Sequence, residues 1–443
     1  VKFFMCSACG EGAALLHDIQ LEGNEVELYI KDPEYRRVWD GLGLPKVEKP
    51  EPPEGAVVIF DFSGMGKLAA ELRSAGYAVV GGSEIADRLE QDRMFGLDFA
   101  EKAGIKVPLT ANFNEFSVKE VQDFIAEYEP DKRWAFKPSG KSLPCFLTYC
   151  SNDAEDLLCW VKYVEKNYGK DIESFVLQEF VEGVCVSSEA WCDGFRFVRP
   201  FNHTVEVKAS MNSNLGPSTG CSGNLVWLEH DDSCRIIQEG IARIERAIVD
   251  AGHVGPVDAN CVVNEKGCYF LEWTCRFGFS ALPTFSKMIV GGVGKLFSDV
   301  ARGQGGALQL EDKFGSAVKL SIPPYPVEPE KQKDAQKVTP NIGIPIRGIP
   351  EGTEKNFYFY EIELDQDDPD LLVHSAGTGV IADVIGLDDD PAEAFEKPYE
   401  ILEQLIIPNK QYRTDLDSVL SEMYEQVKEQ ERLASGKFVE VWE

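Results

Sequence analysis

The chain has 443 residues, enough for two to four domains, and 44% of them are hydrophobic, so packed cores can form. With 75 acidic against 44 basic residues the formal net charge is −31, which repels nucleic acid and anionic membranes at long range and allows phosphate only in a local basic pocket. No apolar run is long enough to span a bilayer, and VKFFMCSACGEGAALL lacks the positive cluster and cleavage site of a signal peptide, so a soluble protein is expected.

In chain order, KFFMCSA, EVELYI and AVVIFDF read as strands, because β-branched and aromatic residues cluster between breakers. GAALLHDIQLEG, GKLAAELRSAG and IADRLEQDRMFGLDFAEKAG read as helices, two of them ending at Gly76 and Gly104. This alternation predicts a parallel sheet with covering helices, interrupted by a Pro-rich linker, LPKVEKPEPPEG. Of 12 cysteines, only Cys6 and Cys9 form a CxxC, and no second pair at zinc spacing follows. Buried thiols in a reducing cytoplasm are expected.

After Val107-Pro108 come a helix around VKEVQDFIAEY, the strand WAFKPSG, the helix DAEDLLCWVKYVEKNYG and the strand FVLQEFVEG. Paired strands (VSSEAWCDGFRFVRPFNH), a polar glycine-rich loop and a helix at SCRIIQEGIARIERAIVDAG follow, then the hairpin GPVDANCVVNEKGCYFLEW with its turn Asn264-Glu265-Lys266-Gly267. The remainder carries strands at SAVKLSIPPYP, FYFYEIEL and TGVIADVIGL, a helix at PAEAFEKPYEILEQLI and a charged helix at LDSVLSEMYEQVKEQERLA. Boundaries near 107 and 305 divide the chain into three units, 1–107, 108–305 and 306–443.

Four segments carry candidate chemistry. Lys137 leaves an apolar strand into a Gly/Ser/Lys loop, which suits phosphate although the loop is no Walker A; a solvated strand-end lysine is the plain alternative. FVLQEFVEG breaks into a hinge whose backbone can meet an adenine edge, with Gln178, Glu179, Phe180 and Val181 as candidates. The hairpin brings Glu272 and Thr274 on one strand beside Asp258 and Asn260 on the other, oxygen ligands of the kind Mg²⁺ takes; Arg276 follows, as phosphoryl transfer requires. Strand register decides whether Asp258 or Asn260 faces the metal. The loop NSNLGPSTGCSG (212–223) offers backbone donors to carboxylate or phosphate, and His203, Glu206 and Lys208 precede it; His203 reads equally as a catalytic or a structural histidine.

RLEQDRMF, WAFKPSGKS, LQEFVEG, NHTVEVK, LGPSTGCSG and FLEWTCRFG occur in the order found in phosphoribosylamine–glycine ligases, an ATP-grasp family, and HSAGTGVIADVIGLDDDPAEAFEKPYEIL and YRTDLD extend the resemblance to the C-terminal third. The resemblance implies an N-terminal parallel α/β domain (1–107), a central ATP-grasp fold of two subdomains (108–305) and a C-terminal α+β domain (306–443). It implies ATP with Mg²⁺ or Mn²⁺, and a carboxylate joined to an amine through an acyl-phosphate, glycine and phosphoribosylamine being the family's pair. Lys137 and Lys141 fall at the phosphates, Arg93 replaces a lysine there, and Gln178 to Val181 fall on the adenine hinge. Glu272 matches the metal-binding glutamate, helped by Asn260 or Thr274, the latter standing where the family has asparagine. Arg276 and Lys137 are the expected catalytic cations, with His203 beside them; Gly10, Lys208, Arg276 and the stretch Gly216, Pro217, Ser218, Thr219 and Gly220 are expected at the substrates. A monomer or homodimer acting on small molecules, with neither nucleic acid nor membrane as partner, completes the expectation.

The departures cluster on the substrate side. Gly10-Glu11-Gly12-Ala13-Ala14-Leu15 replaces the family's Arg-Glu-His run, Cys185 replaces a ribose-binding glutamate, and Phe279-Ser280 replaces an Asp-Pro pair. They motivate two rivals: a ligase with another amine or amino acid, and a nucleotide-binding pseudoenzyme. A dinucleotide-dependent dehydrogenase is disfavoured, since SACGEGAAL carries only Gly10 and Gly12 and no GxGxxG.

Overall fold

Apolar residues on both faces of the first strand make it a central strand of a parallel sheet. In a computed structural model describing residues 1–140, 147–327 and 341–434, that strand, β1 (Lys2–Ser7), is buried from Phe3 to Ser7. It pairs in parallel with β2 (Glu25–Ile30) and β4 (Val57–Phe60), and β3 (Lys46–Val47) and β5 (Ala78–Val80) extend the sheet to the order β3-β2-β1-β4-β5. Helices α1 (Ala13–Leu21) and α2 (Gly66–Ser74) connect these strands, as the alternation predicted.

The single helix expected over 85–104 is two. Asp92 leaves helical geometry at φ −105°, ψ 91°, ending α3 (Glu84–Gln91), and its carboxylate accepts from Phe95 N at 3.0 Å to cap α4 (Arg93–Lys102). The break matters because it puts Arg93 at the head of a new helix.

A small antiparallel sheet of order β6-β9-β7-β8 follows, from β6 (Thr110–Phe113), β7 (Trp134–Ser139), β8 (Tyr149–Cys150) and β9 (Ser174–Glu179). Helices α5 (Val118–Ile125) and α6 (Ala154–Tyr168) cover it around Trp134, Phe136, Phe175 and Val161. Complete burial of Phe136 and Phe175 contributes about 2–3 kcal/mol each relative to exposure.

The large sheet has eight strands among the described residues, in the order β14-β13-β10-β11-β12-β15-β20-β17. Its first five in chain order are β10 (Val184–Cys192), β11 (Phe197–Met211), β12 (Leu215–Glu229), β13 (Gly255–Asn264) and β14 (Gly267–Thr274). The glycine-rich segment expected as a loop is instead half of β12, since Met211 pairs with Leu215 and Ala209 with Ser218 across a tight turn. The helix expected over 233–252 breaks at Gly240 (φ −114°, ψ −111°), leaving α7 (Arg235–Glu239) and α8 (Glu245–Asp250).

Helices α9 (Ala281–Met288) and α10 (Val293–Ala301) lead to β15 (Phe314–Ser321). With β17 (Phe357–Phe359) and β20 (Val380–Asp388), β15 continues the large sheet through Gly223↔Val318 and Val318↔Val384, so hydrogen bonding runs unbroken across the boundary expected near 305. A three-stranded sheet of β16 (Pro345–Ile346), β18 (Ile362–Leu364) and β19 (Leu372–His374) lies beside it, followed by α11 (Glu396–Gln404). The long α12 (Leu416–Ala434) packs on β11 and β12.

Candidate active site

The register of the hairpin settles which oxygens meet. Asn260 stands opposite Glu272 and Asp258 opposite Thr274, so all four side chains share one face. Asn260 Nδ2 donates to Thr274 Oγ1 at 3.2 Å. Asp258 lies one pair deeper and is buried; burial, then Glu189 and Glu206, push its carboxyl well above the usual range. Asn260 is therefore the nearer companion of Glu272, and Asp258 lies beneath it.

Cations surround Glu272. Lys208 Nζ lies 3.5 Å from Glu272 Oε1 and 3.4 Å from Glu206 Oε1, and Lys208 and Glu272 keep 47% and 50% of their side-chain surfaces open at the floor of a cleft. Burial alone would raise Glu272, but Lys208, Lys137 and Arg93 outweigh it and hold the carboxyl below its usual range. Lys137, on β7 of the small sheet, donates to Gln178 Oε1 at 2.7 Å, and Gln178 Nε2 donates to Thr110 Oγ1 at 3.1 Å. The buried Gln178 side chain thus positions the lysine. Burial lowers the Lys137 ammonium below the ordinary lysine value, with Arg93 and Lys208 adding to the shift against Glu272. An anion bound there would restore it.

Arg93 and Arg276 both line a cavity of about 150 Å³ beside Glu272, and Arg93 Nη1 is buried there without a hydrogen-bond partner. Arg276 Nε donates to Glu90 Oε1 at 2.7 Å. The adjoining cleft, about 490 Å³, is lined by Lys208, Asn260, Glu272 and Cys185. At the hinge, the N–H groups of Glu179 and Phe180 donate to the carbonyls of Leu109 and Arg133, Glu179 pairs with Lys132 at 3.0 Å, and Phe180 stacks on Arg133. Beyond Val181 the chain turns at Gly183 (φ +152°), where a Cβ would meet Val263 O at 2.5 Å.

The substrate-side expectations divide. Gly10, Ser218, Thr219 and Gly220 meet around a cavity of about 380 Å³ that Glu11, Tyr35, Phe279, Tyr360 and Glu361 also line. Gly10 is required there by its φ of +89° and by Val38 Cγ1, 2.8 Å from a built Cβ. Pro217 lines a neighbouring cavity, and Gly216 makes the turn into β12 at φ +81°. Lys208, expected at the substrates, sits instead with Glu272. His203, expected near the catalytic cations, faces away: strand alternation turns it opposite to Asn202 and Glu206, and it is 1% exposed with Nδ1 2.9 Å from Ser188 Oγ. Lys141 falls outside the described residues.

Residues 91–280 match the family described as phosphoribosylglycinamide synthetase, ATP-grasp (A) domain. A phosphoribosylamine–glycine ligase of Corynebacterium ammoniagenes is 24% identical over 400 residues, 88% of each chain. Across residues 91–280 this chain is similar to the ATP-grasp domain of phosphoribosylglycinamide synthetases. A crystal structure of the Thermotoga maritima phosphoribosylamine–glycine ligase superposes with a TM-score of 0.68 at 20% identity, covering 94% of this chain and 100% of that one. The biotin carboxylase domain of Hydrogenobacter thermophilus 2-oxoglutarate carboxylase, in complex with MgADP and bicarbonate, gives 0.60 at 14% identity, covering 98% and 95%. The fold is therefore the ATP-grasp fold. No helix among the described residues is long and apolar enough to cross a membrane.

Against this phosphoribosylglycinamide synthetase framework, sequence reasoning missed Glu90, Glu11 and Glu361. Glu90 lies three residues before Arg93, but its partner Arg276 is 186 residues away, a pairing no local spacing reveals. Glu361 is held by a hydrogen bond from Thr378 and by His374 Nε2 at 3.1 Å, contacts made only when β18, β19 and β20 assemble.

Proposed function

We propose that the cleft between the small and large sheets binds ATP with Mg²⁺, and that the cavity at Gly10 and Ser218–Gly220 receives the amine acceptor. The chain is an ATP-dependent carbon–nitrogen ligase of the phosphoribosylamine–glycine ligase type. One observation carries the reading: Glu272 stands among Lys208, Lys137 and Arg93, with Asn260 and Thr274 beside it. That donor set fits both partners. Oxygen ligands suit Mg²⁺, and the unpartnered Arg93 Nη1 and the depressed Lys137 suit phosphate.

ATP supplies the phosphoryl group that activates a substrate carboxylate as an acyl-phosphate, and Mg²⁺ offsets charge on its phosphates. Glu272, with Asn260 or Thr274, holds the metal. Lys137, anchored by Gln178, and Arg276, anchored by Glu90, offset charge as the phosphoryl group moves. Val181 and the hinge backbone meet the base, and Cys185 lines the nucleoside part of the cleft. Glycine and phosphoribosylamine are the substrates the family suggests.

One observation favours a second reading, the same chemistry with another amine. Glu11 and Glu361 line the acceptor cavity, and among its described lining residues there is no lysine or arginine. A phosphate-bearing acceptor calls for cations; acids and aromatic rings favour an unphosphorylated, positively charged amine.

Phosphate release from ATP and Mg²⁺, measured with glycine and a panel of amines including phosphoribosylamine, tests both readings. Release that depends on phosphoribosylamine and vanishes in Glu272→Ala establishes the first. Release only with an unphosphorylated amine establishes the second. ATP binding without turnover for any carboxylate–amine pair refutes the ligase reading.

A further inference from the structure

On the face of the large sheet opposite the cleft, a second set of ligand-type side chains converges. β11 turns His203 to that face, and the end of β12 brings Glu229 to it, since Glu229 pairs with Phe201 two residues before the histidine. The residue preceding α7 is Cys234. Nε2 of His203, Sγ of Cys234 and a carboxylate oxygen of Glu229 all lie within 4.8 Å of one another. Cys234 Sγ is 3.9 Å from His203 Nε2 and 3.4 Å from Oε2 of Glu431, which α12 contributes. Two ligands held at roughly 2.0–2.3 Å by a tetrahedral zinc ion stand about 3.5 Å apart. The Cys234–His203 separation of 3.9 Å lies close to that value.

The surroundings complete the pattern. His203 Nδ1 sits 2.9 Å from Ser188 Oγ, itself buried, which fixes the ring and leaves Nε2 to the cluster, as outer partners do for metal-bound imidazoles. Glu431 is held by Arg235, whose backbone N donates to Oε2 at 2.8 Å and whose Nε lies 3.4 Å from Oε1. Sequence spacing gave no hint, because positions 203, 229 and 234 form no short motif.

We propose that His203 Nε2, Cys234 Sγ and a Glu229 oxygen form a zinc site whose fourth position is taken by water. Coordination breaks the Cys234 S–H bond, releases the proton to solvent and forms a zinc–thiolate bond; no electron is exchanged. The thiolate and Glu229 balance the dication, while Arg235 balances Glu431. A thiolate and an imidazole select zinc over the magnesium of the cleft, which takes oxygen ligands. The ion would tie the segment leading into α7 to β11 and β12, independently of which acceptor the enzyme uses.

The test uses the full chain, made without a histidine tag, stripped with chelator and titrated with Co²⁺ alone. The expected result is one tightly bound Co²⁺ per chain with a thiolate-to-cobalt charge-transfer band, displaced by zinc, lost in Cys234→Ser and kept in Cys185→Ser. Circular dichroism and ATP binding report whether Cys234→Ser is folded. If it is not, Glu229→Gln carries the test, with affinity falling at least about tenfold for a lost ligand. No charge-transfer band in the wild type, a band that survives Cys234→Ser, or unchanged affinity in Glu229→Gln overturns the proposal.

Discussion

On the side proposed for the nucleotide, Glu272 stands among Lys208, Lys137 and Arg93; on the side proposed for the acceptor, Glu11 and Glu361 share a cavity with Tyr35, Phe279 and Tyr360. The first arrangement is what any polyphosphate with a divalent cation demands, whatever is being joined. The second is free to differ, because it has only to recognise one amine. Of the departures noted in the sequence, Gly10, Glu11 and Phe279 line this second cavity, and Cys185 lines the cleft beside Glu272. The contrast separates the reaction from its substrate, so each can be tested without the other.

The largest expected effect strikes the nucleotide side. Glu272→Ala should lower phosphate release by at least about a hundredfold, the scale of removing a main transition-state electrostatic partner. It should leave the fold intact by circular dichroism, since half of the Glu272 side-chain surface is solvent-exposed. Activity near the wild-type level would sink the metal assignment. Glu90→Gln comes next. Arg276 loses its 2.7 Å anchor, and kcat should fall about tenfold while the KM for ATP changes little. An unchanged kcat would show that Arg276 needs no such positioning.

The acceptor side is sharpened by Glu361→Gln. If the acceptor is a cationic amine, its KM should rise about tenfold with no change in the KM for ATP, the size of one charge-assisted hydrogen bond. A lower KM for phosphoribosylamine in this variant would favour the phosphorylated acceptor instead. Gln178→Leu should have a smaller effect, several-fold in kcat, because it removes one hydrogen bond from Lys137 without removing its charge.

The smallest functional effect, but a distinct pH signature, belongs to Glu189. Burial pushes its carboxyl up to about 7 from an ordinary 4.5, against hydrogen bonds from Trp191 and Asn202. A raised carboxyl stabilises the fold at low pH, and that stability is lost as pH climbs from about 4.5 through 7. Glu189→Gln keeps the acceptor for Trp191 and removes the titration. It should therefore gain up to about 3 kcal/mol relative to the wild type between pH 5 and pH 8, read as a few degrees in Tm. A difference independent of pH would show that Glu189 ionises normally.

The sequence by itself determined the ATP-grasp order of motifs, the parallel N-terminal sheet and the hairpin bearing Glu272 and Thr274. Each rests on local patterning: apolar runs for buried strands, and period-two alternation that fixes Glu272 and Thr274 to one face. The continuous helical pattern around Asp92 concealed the break that frees Arg93. Tertiary structure alone decided the rest, because strand pairing and packing join residues that sequence distance keeps apart. Register put Asn260, not Asp258, beside Glu272, and one step of alternation sent His203 to the far face, toward Cys234 and Glu431. Pairing of β12 with β15 carried the sheet past residue 305, and the meeting of Gly10 with Ser218–Gly220 made a cavity whose charge no local segment predicts.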